Sequence, residues 1–208
     1  MPKAKITIPE SYADVTVRQY KRMMEMWNDT DDAKEAALKA VAALCDLERE
    51  VLDYADWGDV SKVIEDLMWL VKEPNPLAMT LPLQRKVKLK GVEYGFIPNW
   101  TKLSVGEFAD LETYSTNNLF DNLEKALAVW YRPITKRKGD DSYTIEPYEP
   151  HVTKQEKMLD MTMDVVVGAM VFFYRIERRL AIDSRLSSIR QVRKALKTNS
   201  TINGVGTV

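Results

Sequence analysis

The most apolar segment of the chain, residues 163–180 (MDVVVGAMVFFYRIERRL), places the strongest constraint on the fold. Val166, Ala169, Met170 and Phe173 recur at helical spacing, and other apolar residues widen the stripe around most of the circumference. A helix that is apolar on nearly all sides is buried in a domain core or between subunits. Its uninterrupted apolar run is about half of the roughly 20 residues that a membrane span needs. We therefore expect a helical protein organised around one buried helix.

The first 75 residues are predicted to form an acidic module of three helices. Thr16 and Gln19 match a capping box, which predicts a helix over residues 17–27. Asp32 is a candidate N-cap for a second helix, and apolar residues at helical spacing predict a third over residues 60–72. This module contains 10 Lys and Arg against 16 Asp and Glu, so its net charge is negative.

A β-hairpin is predicted in residues 83–98, LQRKVKLKGVEYGFIP. Lys86, Lys88 and Lys90 alternate with apolar residues before a turn at Gly91, and apolar residues alternate again after it. Lysines on the outer face discourage an exposed strand edge from pairing with another chain. We expect the hairpin to lie on the helices or to reach a neighbouring molecule, and we take the three lysines as interface candidates.

Two helices are predicted after the hairpin. Ser104 and Glu107 match a second capping box, and the helix that follows carries Val105, Phe108 and Leu111 as its apolar residues. The next helix is predicted to begin after a cap at residue 118 and to end at residue 131.

Residues 134–150 are predicted to form a polar loop after Pro133 has ended the preceding helix. Tyr143 and Ile145 alternate briefly in it like a short strand. Loops of this length in compact domains tend to be functional or mobile. A turn of helix is predicted between this loop and the apolar segment.

Residues 184–208 are predicted to form a basic helix followed by an uncharged tail. Residues 175–197 contain 8 Lys and Arg against 2 Asp and Glu, and apolar residues at 186, 189, 192 and 196 form a narrow seam. The tail, TNSTINGVGTV, has no charged side chain and would be disordered on its own. The remaining interface candidates are the basic Arg185, Arg190, Arg193, Lys194 and Lys197 and the tail residues Thr198, Ile202, Val205 and Val208.

These patterns predict a mainly α fold, a helical bundle with a small β-hairpin insertion and an extended C-terminal tail. We divide the chain into an acidic N-terminal helical module (1–75), a hairpin with the central helical core (76–183), and a basic C-terminal helix with the tail (184–208). The opposite charges of the two ends suggest an oriented molecule whose ends meet different surfaces, although two solvated helix faces explain them equally well.

The sequence nominates no catalytic residue, no metal ligand and no cofactor site. The single cysteine, Cys45, excludes an internal disulfide, and its helical spacing from Val41 indicates core packing rather than a nucleophile. The single histidine, His151, lies in a proline-rich loop with no ligand partner nearby in the sequence. CxxC, HExxH, GxGxxG and Walker-type spacings are all absent. We therefore expect a protein that is not an enzyme.

Several segments of the chain together resemble a known group of proteins, and the resemblance covers most of residues 6–180. These segments are the opening ITIPESYADVTVRQYKRMMEM, then IPNWTKLSVGEFADLE, ALAVWYRPI, YTIEPYE and DVVVGAMVFFYRIERRL. In overall pattern the chain resembles small proteins encoded in the structural gene blocks of tailed bacteriophages. The resemblance implies a virion component or an assembly factor, not an enzyme.

Within such a particle, the resemblance implies a neck protein, a head–tail connector or adaptor subunit in a ring under the portal. The implied partners are other copies of the chain, the portal or adjacent neck and tail proteins, and non-specific contact with packaged DNA, with no membrane. The implied location is the virion, after assembly in the cytoplasm of the bacterial host.

Two alternatives stay open. A tail assembly chaperone would use the methionine-rich first helix (Met23, Met24 and Met26) for adaptable binding, although core packing explains these residues as well. A nucleic-acid-binding protein would use the basic C-terminal helix for salt-dependent phosphate contacts. That helix lacks the interleaved aromatic residues of a single-strand binder.

Overall fold

The computed structural model describes residues 8–72, 74, 78–137, 142–149, 152–176 and 178. The fold is mostly helical with one small antiparallel sheet of four strands, which confirms the predicted mainly α class. The helices in the described residues are α1 (Val17–Asn28), α2 (Ala33–Leu44), α3 (Trp57–Leu67), α4 (Val105–Thr116), α5 (Leu123–Trp130), α6 (Val152–Met158) and α7 (residues 163–176). The strands are β1 (Lys86–Leu89), β2 (Val92–Phe96), β3 (Tyr131–Arg137) and β4 (Tyr143–Ile145).

The first three helices begin at side-chain caps. The Thr16 hydroxyl accepts from the Gln19 amide at 3.2 Å while the Gln19 side chain accepts from the Thr16 amide, so the predicted capping box is confirmed. Asp32 caps α2 as predicted. The third helix begins at Trp57, earlier than predicted, because Asp56 accepts from the amides of the two residues that follow Trp57. It ends at Leu67, short of the predicted residue 72.

Helix α7 is the buried central helix that the sequence predicts. Met163, Val165, Val166 and Ala169 are at most 1% exposed. Its N-terminal end is joined to the chain before α1, because the Met163 amide donates to the Val15 carbonyl at 2.8 Å. The core around it forms one cluster that draws on residues from α1, α2, α5 and the sheet.

The C-terminal half of α7 packs against the sheet and α5. Phe173 stacks on Trp130 with 5.2 Å between ring centroids, and Phe172 lies edge-on to Phe96. Gly168 faces the connector before the sheet at close range, because a Cβ at this position would lie 2.5 Å from the Pro82 carbonyl oxygen. The absence of a side chain at residue 168 therefore allows α7 to approach that connector.

The sheet has the strand order β1-β2-β3-β4, with every neighbouring pair antiparallel. The predicted hairpin is confirmed as β1 and β2, which turn at Lys90 and Gly91, both at positive φ. It is not an isolated insertion, since β2 also pairs with β3. Two short helical segments precede β3, a 3-10 turn over Leu119–Asn122 and then α5. They replace the single helix that the sequence predicts over residues 118–131.

Strand β3 is the main correction to the sequence prediction, which placed the end of a helix and a polar loop over its residues. Tyr131 pairs with Phe96 and Arg132 with Gly95, so the second edge of β2 supplies the backbone bonds that extend this segment. Pro133 does not interrupt the sheet, because its carbonyl accepts from the Glu146 amide at 3.0 Å. The strand-like alternation at Tyr143 and Ile145 is confirmed as β4.

Tyr143 closes one face of the sheet. Its hydroxyl donates to the Arg85 carbonyl or the Phe96 carbonyl, at 2.9 and 2.8 Å. Its ring covers Gly95, where any Cβ would collide with it. No helix in the described part of the chain combines the length and the apolar character that crossing a membrane requires.

Candidate interaction surfaces

A buried ion pair fixes the orientation of α4. Glu107 accepts from the Ser104 amide at 2.7 Å and from the Arg132 guanidinium at 2.5 Å. Both charged residues are buried, with Glu107 7% and Arg132 9% exposed. Burial by itself raises the pKa of the Glu107 carboxyl, but the bonds from Ser104 and the charge of Arg132 outweigh it and lower that pKa below its ordinary value. The carboxylate is therefore ionised and turned toward the sheet.

Tyr148 adds a second connection between the sheet side and α4. Its ring centroid lies 5.8 Å from the guanidinium carbon of Arg132. Its hydroxyl donates to the Asp110 carboxylate, and burial together with this bond raises the pKa of Tyr148. The segment after β4 is thus held to the same helix as Arg132.

The orientation of α4 leaves apolar side chains in solvent. Val105 is 87% exposed and Phe108 is 60% exposed, while Leu111 is partly buried. We call Val105 and Phe108 the α4 outer face. The sequence identified these residues as the apolar side of the helix but did not predict that they are exposed. Their exposure follows from the bond between Glu107 and Arg132, which belongs to a distant strand.

A second exposed surface is formed by residues 48–59, which include the 3-10 helix Arg49–Tyr54 and the start of α3. Tyr54 is 81% exposed, Trp57 52% and Val51 47%. Five acidic residues of this segment are also exposed: Glu48, Glu50, Asp53, Asp56 and Asp59. We call residues 48–59 the acidic aromatic surface. Sequence reasoning recorded its acidity but did not identify its aromatic residues as exposed.

A groove of about 360 Å³ lies at the edge of this surface, between α2 and α3. Leu38, Leu52 and Val60 contribute buried apolar side chains to its lining, and Trp57 is exposed beside them. Lys34 lies over the Trp57 ring, 4.3 Å from its centroid.

Arg49 is occupied by internal ion pairs at the same groove. It pairs with Glu35 and Asp53, each at 2.7 Å. Hydrogen bonds to these carboxylates raise the pKa of the Arg49 guanidinium. The negative charge of the exposed acids is therefore balanced only in part.

The three hairpin lysines do not share one environment. Lys90 pairs with Asp160 at 2.5 Å, and Lys86 lies over the Tyr143 ring at 5.8 Å from the centroid. The bond from Lys90 lowers the pKa of the Asp160 carboxyl. Lys88 is exposed. The hairpin thus lies against its own molecule through Lys90, and the interface role predicted for the lysines remains a prediction.

The other interface candidates, from Arg185 to Val208, lie outside the described residues, as does His151. In the part of the chain that the structure describes, no group of three or more His, Cys, Asp or Glu residues is placed to hold a metal ion.

Cys45 lies beside a cavity of about 560 Å³ that residues 8–10 also line. It is partly buried and packs against the core, in agreement with the sequence prediction. Burial raises the pKa of its thiol. A raised pKa leaves less of the reactive thiolate at neutral pH, so burial does not activate Cys45.

Comparison of the chain with protein families, with curated proteins and with solved structures finds no match in any of the three.

Proposed function

We propose that the chain is a non-enzymatic structural subunit of a tailed bacteriophage, one of several copies in a head–tail connector ring of the neck. The phage context is proposed because residues 6–180 resemble small proteins of phage structural gene blocks. The mode of assembly is proposed because of the exposed surfaces. It includes the predicted helical bundle with an extended C-terminal tail. The subunit would assemble in the cytoplasm of the bacterial host and remain in the virion.

The observation that carries the proposal is the presence of two unlike exposed surfaces on one subunit. The α4 outer face is apolar, with Val105 almost fully exposed, whereas the acidic aromatic surface combines Tyr54 and Trp57 with exposed carboxylates. Large aromatic residues dominate the binding energy at many protein interfaces. Surfaces that differ on one subunit suit head-to-tail contacts, which close into a ring when the rotation between subunits permits.

The C-terminal segment, residues 184–208, is proposed to dock on the portal or on a neighbouring neck or tail protein. An uncharged tail of this kind would become ordered when it binds. Basic residues of the same segment would also allow non-specific contact with packaged DNA. No catalytic step and no cofactor enter this proposal.

The test is mass spectrometry of purified virions, together with light scattering of the purified protein. We expect the chain in the particle at a fixed, ring-like copy number, with a monomer or a weak oligomer in solution. Absence from purified virions would contradict the neck proposal and would favour a tail assembly chaperone.

The chaperone alternative relied on the methionines of the first helix as a binding surface, and their burial weakens that reason. Met23 is fully buried, and Met24 and Met26 pack partly against the core. Core packing therefore accounts for the methionine-rich first helix. The nucleic-acid alternative depends on residues outside the described part of the chain, and steep salt dependence of DNA binding, lost on reversing Arg190 and Arg193, would test it.

A further inference from the structure

We propose that the acidic aromatic surface is the docking site for the basic segment 185–197 of a second copy of this chain. This inference rests on the proposed assembly of identical subunits into a ring, and it names the two elements that meet. Residues 185–197 lie outside the described structure, so their charge and spacing are taken from the sequence alone.

The charges of the two elements are complementary. The surface has five exposed carboxylates, of which Asp53 is paired with Arg49, and one neighbouring cation, Lys34, lies over Trp57. The segment 185–197, RLSSIRQVRKALK, contains five Lys and Arg and no acidic residue. Opposed charges of this kind orient an encounter, and reversing one side would place like charges together, which lowers affinity.

Exposed apolar residues on the surface also match apolar residues in the basic segment. Trp57 lines the groove of about 360 Å³, and Val51 and Tyr54 are exposed on the same segment. The segment has apolar residues at 186, 189, 192 and 196, the spacing of a narrow helical seam. The groove is lined by Leu38, Leu52 and Val60 together with charged side chains, so an apolar seam would meet mainly the exposed aromatic residues. The seam would contact the aromatic residues while the basic side chains face the surrounding acids.

The proposed head-to-tail ring is the reason for assigning the segment to a second copy rather than to the same molecule. The acidic aromatic surface is supported by α2, against which Leu52 and Val60 pack. The described chain ends instead in α7, whose Phe172 and Phe173 pack on Phe96 and Trp130 at the sheet. A head-to-tail ring brings the end of one subunit to a different surface of the next.

The experiment uses two charge-reversed full-length chains, Glu48→Lys/Glu50→Lys and Arg190→Glu/Arg193→Glu. Neither Glu48 nor Glu50 makes a side-chain hydrogen bond or ion pair within the described structure, so their replacement should leave the fold intact. Light scattering at low salt, up to about 0.5 mM protein, would detect even weak self-association. We expect each variant alone to associate at least about tenfold more weakly than the original chain.

Mixing the two variants is the decisive measurement, because each then supplies the charge that the other has lost. We expect the mixture to recover association within about threefold of the original chain. The matched control is Glu25→Lys/Glu156→Lys, which makes the same change of charge at exposed residues elsewhere and should associate as the original chain does.

Three outcomes would overturn the inference. An original chain that shows no self-association over this range would exclude the contact between copies. Variants whose mixture recovers nothing would indicate docking within one molecule or no docking. Loss of DNA binding in Arg190→Glu/Arg193→Glu with unchanged self-association would assign the basic segment to nucleic acid.

The neck proposal can fail separately from this inference. Virion composition tests the neck proposal, whereas the charge-exchange experiment tests the contact with purified protein. If the chain is absent from virions but its variants recover association on mixing, the contact between copies is supported and the neck proposal is contradicted.

Discussion

Arg132 on β3 donates to Glu107 on α4 across 2.5 Å, and both side chains are buried. The bond joins β3, which the sequence did not predict, to α4, which the sequence predicted. It also determines which side of α4 meets solvent, because the helix must turn its carboxylate inward and its Val105 and Phe108 outward. The same pair therefore joins α4 to the sheet and leaves Val105 and Phe108 exposed.

Removing Glu107 should destabilise the protein strongly. In Glu107→Ala the Arg132 guanidinium stays buried without its counter-charge, and breaking such a pair costs about 3–5 kcal/mol. Urea denaturation followed by circular dichroism would measure the change in the free energy of unfolding. Glu112→Ala, at an exposed position of the same helix, is the control and should change stability by less than about 0.5 kcal/mol.

Replacing both partners should be much less harmful than removing one. Glu107→Met/Arg132→Met leaves no unpaired buried charge, so we expect it to be more stable than Glu107→Ala by about 1–4 kcal/mol. A double variant no more stable than Glu107→Ala would show that the charge pair is not the source of the loss.

The stability of the protein should fall at acidic pH partly through Glu107. Its pKa is lowered in the folded state, so the ionised form stabilises the fold above the unfolded pKa of about 4.3. That contribution is lost as the pH falls from there through the lower folded pKa. We expect the free energy of unfolding to fall less steeply over this range in Glu107→Gln than in the original chain. Equal slopes in urea titrations at several pH values would contradict this assignment.

Gly168→Ala should destabilise the protein although alanine is the better helix former. The new Cβ would lie 2.5 Å from the Pro82 carbonyl oxygen, so α7 or the connector must move. Overpacking of this kind costs about 1–3 kcal/mol. Thermal denaturation would detect it.

Gly106→Ala is the matched control for Gly168→Ala. Gly106 lies in α4 with no atom within 4 Å of its added Cβ, so the intrinsic helix preference should act alone. We expect unchanged stability or a gain of up to about 1 kcal/mol. Equal effects of the two substitutions would exclude the contact with Pro82 as the cause.

Polar substitution of the α4 outer face should affect assembly rather than folding. Val105 and Phe108 are exposed, so Val105→Ser/Phe108→Ser should change the free energy of unfolding by about 0.5 kcal/mol or less per site. If the chain is the proposed neck subunit, the incorporation of this variant into particles, measured by mass spectrometry of virions from a complemented phage, should fall at least about tenfold. Met68→Ser, at an exposed apolar residue at the end of α3 and outside both surfaces, should be incorporated normally.

Local signals explain what could be predicted. The capping boxes at Thr16 and Ser104 and the cap at Asp32 were recognisable because a cap and the amides it satisfies are two or three residues apart. The hairpin was predictable because its turn and its alternation are contiguous in the sequence. Exposed apolar residues could not be assigned in the same way, since exposure depends on which distant element covers a helix.

The sequence by itself determined the buried helix α7, the capped starts of α1, α2 and α4, and the hairpin, because hydrophobic period, caps and turns act over a few residues. Only the tertiary structure decided that residues 131–137 form a strand and that α4 exposes Phe108. Strand β3 depends on backbone bonds to β2, which lies 35 or more residues earlier in the chain. The orientation of α4 depends on Arg132, 25 residues from Glu107. Contacts over such separations arise from the packing of whole elements, and no local pattern encodes them.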